Sequence, residues 1–402
     1  MVTLNDQYLA ENSLLPLIVG SGHNDPYPVY DYLRAHHPVF RDKSGLWLIS
    51  THKLVKQIFE NREGVFYIGA TDERLACLKD TVLIKQDEDH ARLRKLLAPL
   101  FSPDALARLS EFIDAKAKRQ IAPLRQMARF EISKIAFDLA ISTICKLLGI
   151  PQNEAMGYFI AAQGMAKIIS SPCGLDDDER AKLLAEAKRF NSMLETLVKA
   201  SGTGSEGAVG HFLRLEETGE MTRDETLGNL MLLFVLGYIT SALSMGNVVE
   251  AALRNRHIWE SWCADPSLIP DGAREIIRYE SPLHGIGRLA KRDVELDGQT
   301  IRAGECVLLL MASANRDPLE FSSPDEIDLK RTEGRHATFG MGAHTCIGRI
   351  LSKMEVDSFV ATLVENVPAA ILDRAASQRT QLGRVQGYPA LWLTNPAAGK
   401  PA

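Results

Sequence analysis

The stretch Phe339-Gly340-Met341-Gly342-Ala343-His344-Thr345-Cys346-Ile347-Gly348-Arg349 decides how the rest of the chain is read. It runs straight into residues 350–359, whose apolar pattern predicts a helix. Two glycines ahead of the cysteine let the backbone turn tightly and approach a flat ligand closely. A cysteine just before a helix sits where orphan N–H groups and the helix dipole stabilise a thiolate. Backbone N–H bonds to such a sulfur would also tune a metal that it ligates. By residue type alone two other readings stay open here. Cys346 could be an ordinary buried cysteine, or the glycines could cradle a phosphate, although no Lys-Ser/Thr pair follows as a P-loop requires.

Around this stretch lies a chain of 402 residues, 46% hydrophobic and 24% charged, enough to bury a large core. The net charge of −5 and the lack of a long basic run argue against nucleic acid or a membrane surface as a partner. The six cysteines (Cys77, Cys145, Cys173, Cys263, Cys306 and Cys346) show no CxxC zinc pattern and no CxxCH attachment site. No disulfide framework is expected. The opening MVTLNDQYLAENSLLPLIV has no basic start and only a short apolar run, so no signal peptide and a cytoplasmic location are expected. Residues 226–249 carry no Asp, Glu, Lys or Arg and approach the roughly 20 apolar residues of a membrane span. Gly228, Asn229, Gly237, Thr240, Ser241, Ser244, Gly246 and Asn247 interrupt them, which favours a helix buried within a large protein.

Helical spacing predicts helices over 27–35, 54–61, 90–100, 129–148, 153–169, 176–200, 207–218, 223–254 and 271–279, with another starting at Ser102-Pro103-Asp104. Strands are expected at 39–40 and 47–49, within 293–309 around an Asp297-Gly298 turn, and at 389–394. Residues 314–331 read as irregular, and 202–207 as a surface loop. The fold class is therefore mainly α with small β-sheets. No linker divides it.

FGMGAHTCIGR resembles the cysteine-ligand loop of the cytochrome P450 family, with Phe339, Gly340, Gly342, Cys346 and Gly348 in register. The resemblance runs over about residues 25–393 and is nearest to the soluble bacterial members. It implies one cytochrome P450 domain over 1–402: a triangular helical fold with a β-rich portion at about 20–60, a helical core at about 85–280 and the haem-thiolate loop at 339–349. It also implies haem b (iron protoporphyrin IX) as cofactor, Cys346 as the axial thiolate and metal ligand, Phe339 and Gly340 beside it, and His344 on a haem propionate.

Further motifs fall in the family's order. Glu275-Ile276-Ile277-Arg278 places a carboxylate and a guanidinium on one helix face, and Arg331 matches the arginine that completes a buried structural network. His90 and Arg94, at i and i+4, resemble the family's propionate-binding pair, and Arg288 matches another propionate arginine. Arg92, between them, is expected to face solvent.

Residues 236–241, Leu-Gly-Tyr-Ile-Thr-Ser, match the helix that crosses the distal side of the haem. By the resemblance Gly237 leaves space for dioxygen and Thr240 donates a hydrogen bond that assists protonation. Two positions depart from the family: Leu236 stands where a small residue is usual, and Ile239 where an acid is usual. The missing acid removes the expected start of the proton relay. An isolated threonine in a helix can also merely bond the carbonyl one turn back.

By the resemblance, substrate is expected against 66–79, 165–172, 234–238, 284–287 and 385–388, with Tyr67, Tyr238, His284 and Gln386 as polar handles. The implied activity is oxidation, most simply hydroxylation, of a small organic molecule by dioxygen, in bacterial secondary metabolism. The substrate is free or tethered to a carrier protein. No reductase pattern is recognisable, so electrons are expected from a ferredoxin and its reductase, docking near Arg349, Lys353 and the 90–95 helix. No nucleic acid or membrane partner is expected. Two other readings are oxidative coupling in the same fold, which Ile239 favours, and a non-catalytic haem sensor.

Overall fold

The helix Arg223–Arg254 runs for 32 residues, and its ends obey the helix dipole, with Asp224 and Glu225 in the first turn and Arg254 in the last. It is long and apolar enough to cross a membrane, yet 78% of its most apolar window is buried inside the fold. Protein therefore covers the apolar faces that lipid would otherwise have to cover. The computed structural model describes residues 4–19, 25–68, 78–170 and 177–398. They divide into two compact units.

The first unit comprises Met1–Gly69, Gly246–Cys346 and Arg374–Leu391. Its five-stranded sheet has the order Val39–Arg41, Trp47–Ile49, Cys306–Leu310, Gly285–Ala290, Phe66–Tyr67. Only the pairing of Trp47–Ile49 with Cys306–Leu310 is parallel. The helix His52–Glu60 lays Leu54, Val55, Ile58 and Phe59 onto this sheet, where they meet Trp47, Ile49, Val307, Leu309 and Met341. Each such side chain contributes about 1.5–3 kcal/mol on burial. The Asp317 carboxylate caps that helix by accepting from His52 N at 2.8 Å. The expected Asp297-Gly298 turn joins Val294–Leu296 to Gln299–Ile301, with positive φ at both residues (51° and 74°), as a two-residue hairpin requires.

The second unit comprises Ala70–Met245, Ile347–Asp373 and Trp392–Ala402. Helices Pro103–Ile121, Ile132–Leu148 and Arg349–Asn366 pack on one another. Ser102 starts the first by accepting from Ala105 N at 3.3 Å, and Gly149, at φ 85°, ends the second in the left-handed conformation that suits glycine.

Most expected elements are present, with corrections at their edges. Arg129–Glu131 is a strand paired to Trp392–Thr394, so the helix expected over 129–148 begins at Ile132. The strand Gly285–Ala290 and the helix Arg256–Ala264 were not anticipated. The helix after Cys346 extends to Asn366, beyond the expected 359. The expected strand at 389–394 is two pieces, Val385–Ala390 and Trp392–Thr394, in different sheets.

Candidate active site

In the first unit a short turn, Ala337–Phe339, leads into the cysteine loop. Gly340 and Gly342 take positive φ (66° and 69°), which a side chain would resist. A Cβ at Gly342 would lie 2.4 Å from the Phe59 carbonyl oxygen, so glycine lets the loop rest against the end of the helix His52–Glu60. The loop closes on itself when Cys346 N donates to Phe339 O at 2.8 Å and Thr345 Oγ1 to Gly342 O at 2.8 Å. Cys346 is left exposed at its tip. Phe339 and Gly340 thus sit at the start of the same closed loop as Cys346, and His344, half-buried, lies within it.

Beneath the loop lies a buried ion network. Arg278 donates from Nε and Nη2 to the two oxygens of Glu275, at 2.9 and 2.8 Å, and Arg331 Nε donates to Glu275 Oε1 at 3.0 Å. This bidentate arrangement is the one expected for the family motif. The Arg278 Nη1 donates to Asn315 O at 2.8 Å. Asn315 in turn accepts from Ala337 N at 2.6 Å and donates to Thr338 Oγ1 at 2.8 Å. A continuous path of bonds therefore runs from the glutamate to the residues just before Phe339.

Arg288 is 5% exposed, and burial pushes its guanidinium down to about 10, with Arg384 adding to the shift. Its contacts are its own neighbour's carbonyl, Gly287 O at 2.8 Å, and the face of the Phe59 ring at 5.4 Å. Among the described residues no carboxylate pairs with it. A buried cation without a counter-ion is costly, so this position favours an incoming anion. Haem, with two propionates, fits that requirement, and an exposed thiol on a glycine loop fits its iron.

In the second unit His90 and Arg94 lie one turn apart on the helix Asp87–Leu97, His90 buried and Arg94 half-buried. Burial, and then Arg94, lower the His90 pKa, which favours the neutral ring. Arg92 is exposed, as expected, and it pairs with buried Glu225 and donates to Glu220 O at 2.9 Å.

Between Glu225 and Leu253 the long helix is buried except at Leu236, Gly237, Ile239 and Thr240. Leu236, Gly237 and Thr240 fall on one face at helical spacing. A Cβ at Gly237 would lie 2.6 Å from Ile144 Cδ1, so close packing of Ile144 accounts for that glycine. Among the described residues the Thr240 hydroxyl bonds no protein group, and the bond to the carbonyl one turn back is absent. Ser241, the next residue, faces inward and bonds Ser352 Oγ at 3.2 Å. Beside it lies Glu355, 2% exposed, bonded to the Ser241 and Thr143 hydroxyls and pushed by burial up to about 8. Sequence reasoning missed Glu355. The available signal was an acid at position 355 between Leu351 and Phe359, on the buried face of a helix.

The expected substrate-lining residues are largely committed elsewhere. His284 is buried with Nδ1 3.0 Å from the Tyr30 hydroxyl, and desolvation lowers it to about 3. Tyr238 takes a bond from Gln163 Nε2 at 3.1 Å, and Gln386 Oε1 one from Arg379 Nη2 at 3.3 Å. Tyr67 is half-buried on the sheet-edge strand paired with Leu289. Stretches 284–287 and 385–388 do adjoin, through His284 N to Arg384 O at 2.8 Å and Gln386 N to Pro282 O at 2.9 Å. Residues 69–77 and 171–172 of the expected pocket, with Cys77 and Cys173, lie outside the described residues.

A family model for cytochrome P450 matches residues 271–375, which span both the Glu275–Arg278 motif and the cysteine loop. The biotin biosynthesis cytochrome P450 of Bacillus subtilis is 27% identical over 86% of this chain and 90% of its own length. A 20-oxo-5-O-mycaminosyltylactone 23-monooxygenase of Streptomyces fradiae is 28% identical over 86% of this chain and 83% of its own. The fold matches that of P450BioI in complex with hexadec-9Z-enoic acid ligated acyl carrier protein, with a TM-score of 0.85 and 24% identity over 92% of this chain and 98% of that one.

Proposed function

We propose that this chain, which belongs to the cytochrome P450 family of oxidoreductases, is a haem b monooxygenase whose iron is held by Cys346 and whose 402 residues work as one catalytic domain. The observation that carries the assignment of the ligand is the exposed Cys346 thiol, displayed by a closed two-glycine loop that the buried Glu275–Arg278–Arg331 network braces through Asn315. Arg288 and His344 would hold propionate, and the resemblance gives His90 and Arg94 the same task. Phe339 and Gly340 would border the sulfur. Haem bound in this way would supply the activation of dioxygen, with the thiolate's electron donation favouring O–O cleavage.

The chain's own residues would do the rest. The Thr240 hydroxyl, unengaged by protein and set on the uncovered face of the long helix, would hold and orient a water there and donate a hydrogen bond from that face. The substrate would be a small organic molecule of bacterial secondary metabolism, oxidised most simply by hydroxylation. A carrier-tethered substrate draws support from the acyl carrier protein in the related P450BioI complex. Electrons would come from a ferredoxin and its reductase, in the cytoplasm. Arg349, exposed, and Lys353, paired with Asp357 at 3.3 Å, would meet the acidic donor.

Turnover under isotope-labelled dioxygen tests the reaction type. One labelled oxygen atom in the product is expected. An oxidised or coupled product free of label would identify the chain as a coupling catalyst.

A further inference from the structure

The first unit buries a phenol against an imidazole. Tyr30, on the helix Tyr27–His36, is fully buried, and its hydroxyl lies 3.0 Å from Nδ1 of His284, which is 1% exposed. The two rings sit 5.9 Å apart, and Tyr27 meets Tyr30 edge-on at 5.7 Å. His284 directly precedes the strand Gly285–Ala290, four residues before Arg288. At about 3.3 Å per residue, roughly 13 Å of strand separates the pair from that propionate candidate, a span that electrons tunnel readily.

We propose that Tyr30 and His284 form a redox site that gives up one electron when peroxide over-oxidises the haem, sparing the porphyrin and the Cys346 sulfur. This rests on the haem-thiolate reading above.

Proton inventory fixes the resting state. A phenol has one proton to give, and among the described residues the Tyr30 hydroxyl bonds only Nδ1. With the ring proton on Nε2, Nδ1 accepts from the phenol; the other tautomer would leave the buried O–H unsatisfied. Burial raises Tyr30 well above 10 and lowers His284 to about 3, so the proton stays on the phenol by about ten-million-fold or more. Removing an electron reverses this order, because an oxidised phenol is a far stronger acid than an imidazolium. Tyr30 then passes one electron to the haem and its proton to Nδ1, leaving a neutral phenoxyl radical beside a charged ring. No heavy atom needs to move. An electron from the NADPH-fed donor restores the phenol, and the same proton returns to it.

The surroundings select Tyr30 over its neighbours. Tyr27 donates to Tyr279 O at 3.0 Å, a carbonyl that cannot keep a proton. The Arg316 guanidinium lies 3.5 Å from the Tyr27 ring centre and 3.7 Å from that of Tyr279, opposing positive charge on either ring. Beyond burial, Arg379 and Arg316 oppose a charged His284, whereas Glu280 and the Ser281 backbone favour it. Nε2 is buried and bonds no side chain among the described residues, so the received proton has no titratable group to move on to.

Electron paramagnetic resonance tests the pair in substrate-free, haem-loaded protein mixed with hydrogen peroxide and frozen within milliseconds. The wild type should show a tyrosyl radical, confirmed by narrowing with ring-deuterated tyrosine. Tyr30→Phe keeps the buried ring and His284→Gln removes the base; in both the signal should fall about fivefold or more, and porphyrin bleaching should run about threefold faster. Because the proton stays inside the pair, the wild-type radical yield should be level between about pH 6 and 8. A radical of undiminished size in Tyr30→Phe would overturn the proposal, as would a yield that climbs with pH, the mark of a phenol losing its proton to water. The carbon monoxide spectrum of the same preparation separates the two claims. A thiolate band without a Tyr30 radical sinks the pair alone, and a missing thiolate band sinks the reading beneath it.

Discussion

Glu275→Gln probes the brace beneath the cysteine loop. Four donors converge on that side chain: Arg278 Nε at 2.9 Å, Arg278 Nη2 at 2.8 Å, Arg331 Nε at 3.0 Å and the backbone N–H of Asp328 at 3.1 Å. Glutamine keeps the shape and one acceptor oxygen, but its amide turns two protons toward a guanidinium that needs an acceptor. One charge-assisted bond is lost outright, at about 1.5–3 kcal/mol. Arg278 and Arg331, both under 5% exposed, then lose the carboxylate they share, and only Arg331 keeps another, Glu333 at 2.6 Å. Breaking a buried ion pair in this way costs roughly 3–5 kcal/mol in total. Arg278 keeps its bonds to the carbonyls of Asn315, Pro324 and Glu326, which holds the loss to that range rather than above it. Guanidinium unfolding followed by tryptophan fluorescence measures the cost, and the rate of haem loss measures its transmission through Asn315 to the loop. A midpoint within about 0.5 kcal/mol of wild type, the range of ordinary surface changes, would refute the reasoning.

Gly342→Ala should destabilise the first unit by about 2 kcal/mol or more and slow haem uptake, because a Cβ there meets the Phe59 carbonyl oxygen at 2.4 Å on a backbone at φ 69°. Wild-type levels of haem in the purified variant would contradict this. His284 is held neutral by burial, its folded pKa depressed to about 3. The unfolded chain therefore binds its proton first, so stability present above about 6.5 falls as pH drops toward 3. His284→Asn should flatten that acid limb in a denaturation series, and an unchanged limb would count against it. Thr240→Ala should divert NADPH electrons to peroxide while leaving the carbon monoxide spectrum intact. Unchanged coupling would remove Thr240 from the reaction.

Much of the architecture was legible because local rules and tertiary packing agree. The long helix could be bounded at Arg223 and Arg254 from its charged ends and uncharged middle. The Ser102-Pro103 start and the Asp297-Gly298 turn carry their own chemistry, and both are present. The residues that escaped depend on partners distant in the chain. Gly285–Ala290 carries two glycines and an arginine and reads poorly as a strand, yet it is a central strand because Cys306–Leu310 and Phe66–Tyr67 lie on either side of it. Arg129–Glu131 becomes a strand only because Trp392–Thr394, over 250 residues later, pairs with it. For the site, motif order marked the brace and the cysteine loop. It could not mark Glu355, whose meaning comes from Ser241 and Thr143 on two other helices. Nor could it anticipate that His284 and Tyr238, plausible handles for a ligand, are already engaged by Tyr30 and Gln163.

The central claim is the bond between the Cys346 sulfur and a haem iron. Reducing the haem-loaded protein and adding carbon monoxide tests it in one spectrum. The account predicts the strongly red-shifted Soret band that thiolate ligation produces, lost in Cys346→Ala. A wild-type band at the position typical of a histidine-ligated haem, or a red-shifted band that survives Cys346→Ala, would contradict it.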